Sequence, residues 1–304
     1  MNNIIFGPIH SRRFGKSLGV DLSPGKKQCN FDCLYCELDP AKTMTGQDEV
    51  LSVEEIITAI KKGLQEHEDI DFLTITANGE PTLYPHLNEL IDEINKIKGS
   101  TKTLILSNAA TIDDPKVQKA LLKFDEVKLS LDCATQKCLK KLDRSHSGIE
   151  VENIKQGMLA FKKRYSGALV IEILVVKTLN DKPEEIEALN SYLLKLQPTR
   201  IDIGTIDRPP AFDVKPVSYE ELLHISHLFD SSLHVYIASR KKADISASSY
   251  SDEQILETLR KRPLTIEDIE ALFDEKSQKR FQDLLKEEKI KSVETNGVKF
   301  YKKA

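Results

Sequence analysis

No run of residues in this chain approaches the roughly 20 consecutive apolar positions that a membrane span requires, so no place in a bilayer is expected. The first residues, Met1-Asn2-Asn3-Ile4-Ile5-Phe6, carry neither the basic stretch nor the long apolar stretch of an export signal. Low-complexity tracts are missing as well. Cysteine is scarce, with five in 304 residues, which argues against the disulfide framework of a secreted domain. Nor is there an excess of one charge: 44 Lys and Arg meet 48 Asp and Glu, a formal net charge of -4. That gives no general attraction to nucleic acid, although it leaves room for a local basic patch. These absences predict a cytoplasmic protein, in a compartment where thiols stay reduced. What remains, 40% hydrophobic and 30% charged residues, is the composition of a folded chain long enough for one large domain and one small one.

Three of the five cysteines crowd into Cys29-Asn30-Phe31-Asp32-Cys33-Leu34-Tyr35-Cys36, directly after the apolar run Leu18-Gly19-Val20-Asp21-Leu22. Thiolates this close on a loop can converge on one metal centre. Cys33 and Cys36 alone would also suit a redox pair or half a zinc site. A redox pair leaves Cys29 idle, and zinc needs a fourth ligand that no Cys or His supplies at finger spacing. A 4Fe–4S cluster normally takes four cysteines, so three would leave one iron open to a small chelating ligand.

At these residues the chain resembles the radical S-adenosylmethionine (SAM) superfamily, whose signature is this triplet with an aromatic residue before the last cysteine, here Tyr35. The resemblance implies that Cys29, Cys33 and Cys36 hold a 4Fe–4S cluster whose open iron is chelated by S-adenosyl-L-methionine. It also implies reductive cleavage to a 5′-deoxyadenosyl radical, fed by an electron donor such as flavodoxin or ferredoxin, with Tyr35 beside the adenine. A second match follows the apolar run Asp71-Phe72-Leu73-Thr74-Ile75-Thr76-Ala77. Asn78-Gly79-Glu80-Pro81-Thr82-Leu83 resembles the superfamily's Gly-Gly-Glu motif, with Asn78 in place of the first glycine. There the resemblance implies that Asn78, Gly79 and Glu80 receive the SAM amino group.

The lead-in Phe6 to Gly19, rich in Gly and basic residues, is read as an arm before the first strand. Its pattern resembles that of a group related to the tRNA wyosine-synthesising enzymes, which implies a tRNA base as substrate. Arg12, Arg13 and Lys16 are anion-binding candidates on charge. Downstream, Ser52 and Glu55 form a capping box before a helix from Val53 to His67. Helices near 87–97, 115–124, 150–165 and from Pro183, and at 218–229, then alternate with strands at 103–108, 127–132, 168–176, 200–206 and 234–237. Asn108, Ser130 and Asp132 fall at strand ends, where βα loops carry function or merely cap helices. The resemblance makes Ser130 and Asp132 contacts of the SAM ribose and Asn108 a further cofactor contact. Glu172, inside the most apolar strand, either faces inward with a function or touches solvent at a pleat. Arg208, beside Pro209-Pro210, is a candidate contact to substrate or to the SAM carboxylate. Cys133 and Cys138 are too few for a second cluster and are expected to be ordinary thiols, the alternative for Cys133, near the predicted mouth of the barrel, being a fourth-ligand, redox or substrate-radical role.

Alternating strands and helices imply parallel βα units. The expected fold is α/β, a partial (β/α)6 TIM-like barrel of parallel strands over residues 1–245. A small α+β domain at 246–304 follows a Ser/Ala-rich linker. Its three helices, and two strands around the hairpin signal Asn296-Gly297, resemble a winged helix. Because its charges nearly balance, contact with a protein is as natural as contact with nucleic acid. A tRNA base, or a peptide or protein presented by this domain, are the rival substrates. A cluster-bearing winged-helix redox regulator without catalysis is the rival outside enzymes.

Overall fold

Leu169, Ile171, Ile173 and Val175 are fully buried, whereas Ala168, Glu172 and Leu174 between them are only partly covered. That period of two marks a strand with one face under helices and the other lining a cavity. The computed structural model, which describes residues 4–11, 15–67, 69–237, 247, 249–261, 263–295 and 298–304, places this strand in one eight-stranded sheet. Its strands are β1 (Ile5–Ser11), β2 (Gly15–Asp21), β3 (Phe72–Thr76), β4 (Lys102–Ser107), β5 (Glu126–Ser130), β6 (Ala168–Val175), β7 (Arg200–Thr205) and β8 (Val235–Ile237). They lie side by side in chain order, with β1 and β2 antiparallel and every pair from β2 to β8 parallel. Among the described residues β1 and β8 remain the two edges of the sheet. The architecture is therefore the partial parallel barrel that the sequence predicts.

The crossovers are helices α1 (Val53–Glu66), α2 (Leu87–Ile97), α3 (Pro115–Leu121), the single turn α4 (Gln136–Cys138), α5 (Val151–Lys162), α6 (Pro183–Leu196) and α7 (Tyr219–Ser226). The capping box is present at α1, where Ser52 and Glu55 bond each other's backbone amides. Outward residues such as Leu18, Val20, Leu73, Ile75, Val127, Leu129, Ile201 and Ile203 form the core with these helices. The lead-in differs from expectation. Residues 5–11 are a strand that hairpins onto β2, with Phe6 opposite Gly19. Arg12 and Arg13 lie outside the described residues, as do the hairpin signal Asn296-Gly297 and the expected boundary at 245/246.

The C-terminal part has its own buried cluster, including Ile255, Leu259, Phe273, Phe281 and Ile290. It consists of α8 (Asp252–Lys261), β9 (Leu264–Thr265), α9 (Ile266–Leu272), α10 (Glu275–Lys286), β10 (Ile290–Thr295) and β11 (Val298–Lys303). The two-residue β9, which pairs with β11, was not foreseen because a strand that short has no periodicity to read. Tyr250 Oη donates to the Pro8 carbonyl at 3.0 Å, and Arg260 Nη2 donates to the Pro24 carbonyl at 3.1 Å. These bonds tie the part to β1 and to the segment leading into the cysteine loop. No helix among the described residues is long and apolar enough to cross a membrane.

Candidate active site

The cysteine loop follows β2 and is held from several sides by backbone bonds. Gln28 N donates to the Asn78 carbonyl, and Glu80 N donates to the Gln28 carbonyl, both at 2.9 Å. On the far side Asp32 N reaches the Asp143 carbonyl at 3.1 Å and Leu34 N reaches that of Leu142 at 2.9 Å, while Ala211 N donates to Cys36 O at 2.8 Å. Asn108 Nδ2 donates to Asn30 Oδ1 at 2.7 Å and stands 3.7 Å from Cys29 Sγ. Asp32 is flanked by Lys27 at 3.3 Å and Arg144 at 3.4 Å.

Cys29, Cys33 and Cys36 are free thiols, half-buried, and close enough to feel one another's charge. Burial pushes the Cys29 thiol up to about 12 and that of Cys33 well above its ordinary range, so a metal must displace protons to bind here. Three thiolates on one loop offer the donor set in which each takes its own iron of a cluster.

Asn78-Gly79-Glu80 lies against the loop, at the C-terminal end of β3. Gly79 has φ of 134°, and a Cβ there would stand 2.0 Å from the Gln28 carbonyl oxygen. Only glycine allows that approach. Glu80 is 1% exposed. Its Oε1 accepts Thr82 N at 2.9 Å, Thr82 Oγ1 at 2.6 Å and Ser107 Oγ at 2.7 Å, and its Oε2 accepts Asn108 N at 2.7 Å. The carboxylate thus pins the ends of β3 and β4 together, a structural duty that the motif alone did not disclose. Asp21, at the end of β2, adds another pin by accepting Asn78 N at 2.8 Å.

Beside the loop is a small cavity, lined among others by Phe31, Tyr35, Asn108, Ser130, Asp132 and Asp143. The structure therefore brings four of the predicted residues, Tyr35, Asn108, Ser130 and Asp132, into one place. Tyr35 donates to Asp132, whose carboxyl burial pushes up to about 7. Asp143 was missed. It sits in a charged stretch, Lys140-Lys141-Leu142-Asp143-Arg144, that reads as solvated surface, yet it is 2% exposed and burial raises its carboxyl above the usual range. Its Oδ1 is buried without a hydrogen-bond partner. An orphan acceptor on a cavity wall is costly unless a ligand supplies the donor, so the pocket fits a ligand bearing hydroxyl or amino groups.

The inner face of the sheet continues from this pocket. Ser130 pairs in register with Glu172, Glu172 with Asp202 and Asp202 with Tyr236, and parallel partners share a face. Glu172 therefore points inward, which resolves the choice its position had left open. Lys128 on the same face bonds Glu172 and lies 3.3 Å from Asp202. The Glu172 side chain keeps 39% exposure, a Cβ on inward Gly204 would meet nothing within 4 Å, and Tyr236 is 44% exposed. Arg208 pairs with Glu37 at 3.1 Å, bracing the residue after Cys36. Cys133 and Cys138 are not ordinary thiols but a disulfide, with Cα atoms 5.4 Å apart. The spacing of five along the chain permits that pairing only because a turn folds the second cysteine back.

Comparison with known proteins agrees with this geometry. The profile of the Radical SAM superfamily matches residues 26–189, a span that holds the cysteine loop and the strand-end residues. A UPF0026 protein of Helicobacter pylori is 43% identical over 300 residues, covering 98% of this chain and 97% of that one. A probable dual-specificity RNA methyltransferase RlmN of Thermotoga petrophila is 25% identical, covering 72% of this chain and 64% of that one. Among solved structures, a radical SAM methyltransferase from Sphaerobacter thermophilus superposes with a TM-score of 0.56 at 14% identity, covering 76% of this chain and 68% of its own. The chain is a radical SAM enzyme, and within that superfamily it belongs to the UPF0026 family.

Proposed function

We propose that Cys29, Cys33 and Cys36 hold a 4Fe–4S cluster with one open iron, and that the adjoining pocket receives SAM. The observation that carries this reading is the orphan Asp143 oxygen in a cavity walled by the cysteine loop on one side and strand ends on the other. Held there by Cys29, Cys33, Cys36 and the pocket residues, the two groups would supply radical chemistry that begins with reductive cleavage of SAM. The protein supplies position and exclusion of water. Tyr35 lies beside the adenine, Ser130 and Asp132 receive ribose hydroxyls, and Asn108 steadies the loop beneath Cys29. The amine is received by the Asn78-Gly79 backbone and by Glu80 Oε2, the carboxylate oxygen that accepts a single protein bond.

The substrate occupies the inner face, where Glu172, Tyr236 and the space over Gly204 suit a planar group that donates hydrogen bonds. A tRNA base meets that description, and the likeness to an RNA methyltransferase supports it; Arg12 and Arg13 then hold its phosphates. The element order of the C-terminal part, with its sheet order β10-β11-β9, supports a winged-helix-like domain over 246–304 beside a barrel domain over 1–245. The enzyme works in the cytoplasm with a flavodoxin or ferredoxin as reductant. Anaerobically reconstituted protein should be brown, and dithionite with SAM should give 5′-deoxyadenosine. Cys33→Ala should give none. Colourless protein holding zinc would refute the cluster, and unchanged tRNA nucleosides in a deletion strain would refute the substrate.

A further inference from the structure

The Cys133–Cys138 disulfide stands between two parts of the site. Cys133 directly follows Asp132, and its side chain lines the cavity. Cys138 ends the turn α4, from which the chain winds through Leu139–Asp143 and delivers the carbonyls of Leu142 and Asp143 to the amides of Leu34 and Asp32. Residues 138–143 are thus a strap across the cysteine loop, and the disulfide fastens the near end of that strap to the strand that carries Asp132. Hydrogen bonds hold the same turn: Glu185 accepts Ala134 N, Thr135 N at 3.0 Å and Thr135 Oγ1 at 2.8 Å, and Thr135 in turn accepts Cys138 N at 3.3 Å and Leu139 N at 3.0 Å, so the disulfide is the one covalent fastening among them. Cys133 and Cys138 are 1% and 7% exposed. Two separate thiols need more room than a bonded pair, and in so buried a place reduction must displace neighbouring atoms.

Cys133, Cys138 and Glu185 also group their ligand atoms within 4.8 Å. A metal site is nevertheless disfavoured, because the sulfurs are bonded to each other and both Glu185 oxygens already accept hydrogen bonds. We propose that Cys133 and Cys138 form a redox-active pair that responds to thiol oxidants: the disulfide locks the strap onto the cysteine loop, and the dithiol releases it. With hydrogen peroxide, the two thiols lose two electrons and two protons, an S–S bond forms, the O–O bond breaks and two waters leave. A small dithiol reverses the change by two thiolate exchanges and leaves as its own disulfide. The consequence for SAM rests on the function proposed above, whereas the consequence for the strap does not.

The test uses full-length protein purified anaerobically and equilibrated with mixtures of reduced and oxidised dithiothreitol. Alkylation and mass spectrometry count the free thiols at 133 and 138. Hydrogen exchange is followed in the peptide spanning residues 30–36, and SAM binding is measured by equilibrium dialysis. The pair should interconvert reversibly, and exchange at Asp32 and Leu34 should be about five-fold faster or more in the dithiol form. SAM should bind several-fold more weakly to that form, and Cys138→Ser should behave as the dithiol at every mixture. Thiols that stay free in the most oxidising mixture, or equal exchange rates in both forms, would overturn the proposal. Should SAM bind neither form while the exchange rates differ, the strap mechanism stands and the assignment of the pocket falls.

Discussion

The carbonyl oxygen of Gln28 stands 2.0 Å from where a Cβ on Gly79 would be. The segment before the cysteine loop and the end of β3 are therefore in backbone contact, bridged by the bonds through Asn78 and Glu80. A methyl group at this position must push the two apart, from a φ that side-chain residues rarely adopt. Gly79→Ala should lose about 3 kcal/mol or more of stability, read from urea unfolding. It should also bind the cluster poorly even where the chain still folds.

Glu80 makes a prediction of a different kind. Removing its carboxylate leaves the amides of Thr82 and Asn108 and the hydroxyls of Thr82 and Ser107 without their acceptor. Glu80→Ala should cost about 3 kcal/mol or more, since buried unmade hydrogen bonds are costly. Glu80→Gln, which keeps an acceptor oxygen, should recover part of that stability in the same unfolding assay. If the two variants unfold alike, the pinning role assigned to this carboxylate is wrong.

Asp132 should give the metal-free protein a pH-dependent stability. Burial raises its carboxyl from 3.8 to about 7, so the unfolded chain releases this proton before the folded one. Stability then falls as pH rises from about 4 to 7, and the full loss, up to about 4 kcal/mol, is present above that window. Asp132→Asn should flatten this part of the profile. The difference between wild type and variant, measured by urea unfolding at pH 5 and pH 8, reads Asp132 together with the charge it exerts on the neighbouring Asp143.

Glu172 separates substrate binding from SAM cleavage. It lies in register with Ser130 but outside the residues that line the pocket proposed for SAM, and acts on Asp132 there through its charge alone. Glu172→Gln should leave 5′-deoxyadenosine formed without substrate within about two-fold of wild type. It should lower substrate modification about ten-fold, the scale of one lost charged hydrogen bond. Equal loss of both activities would mean that the residue serves the fold or the cofactor rather than the substrate.

Much of the architecture was legible in advance because its signals are local. Ser52 and Glu55 announce a helix start, and the continuous apolar run along 168–176 announces a buried strand. Strands β1 and β9 were not legible. The first lies in a Gly-rich lead-in without clear alternation, and the second is two residues long. Both owe their conformation to partners, β2 and β11, distant or weakly signalled in the chain.

The sequence by itself determined the chemistry on offer: three cysteines in eight residues, a glycine–glutamate turn after a buried strand, and polar residues at successive strand ends. Those follow from residue type and spacing, which are properties of a short stretch of chain. Only the tertiary structure decided that one oxygen of Asp143 is buried in the pocket wall without a partner, that Glu172 faces inward beside Ser130, that Arg208 braces Glu37, and that Cys133 joins Cys138. Each of these depends on strand register or on one chain segment closing over another, and the free energy of burying or pairing a charged side chain is set by those distant neighbours rather than by adjacent residues.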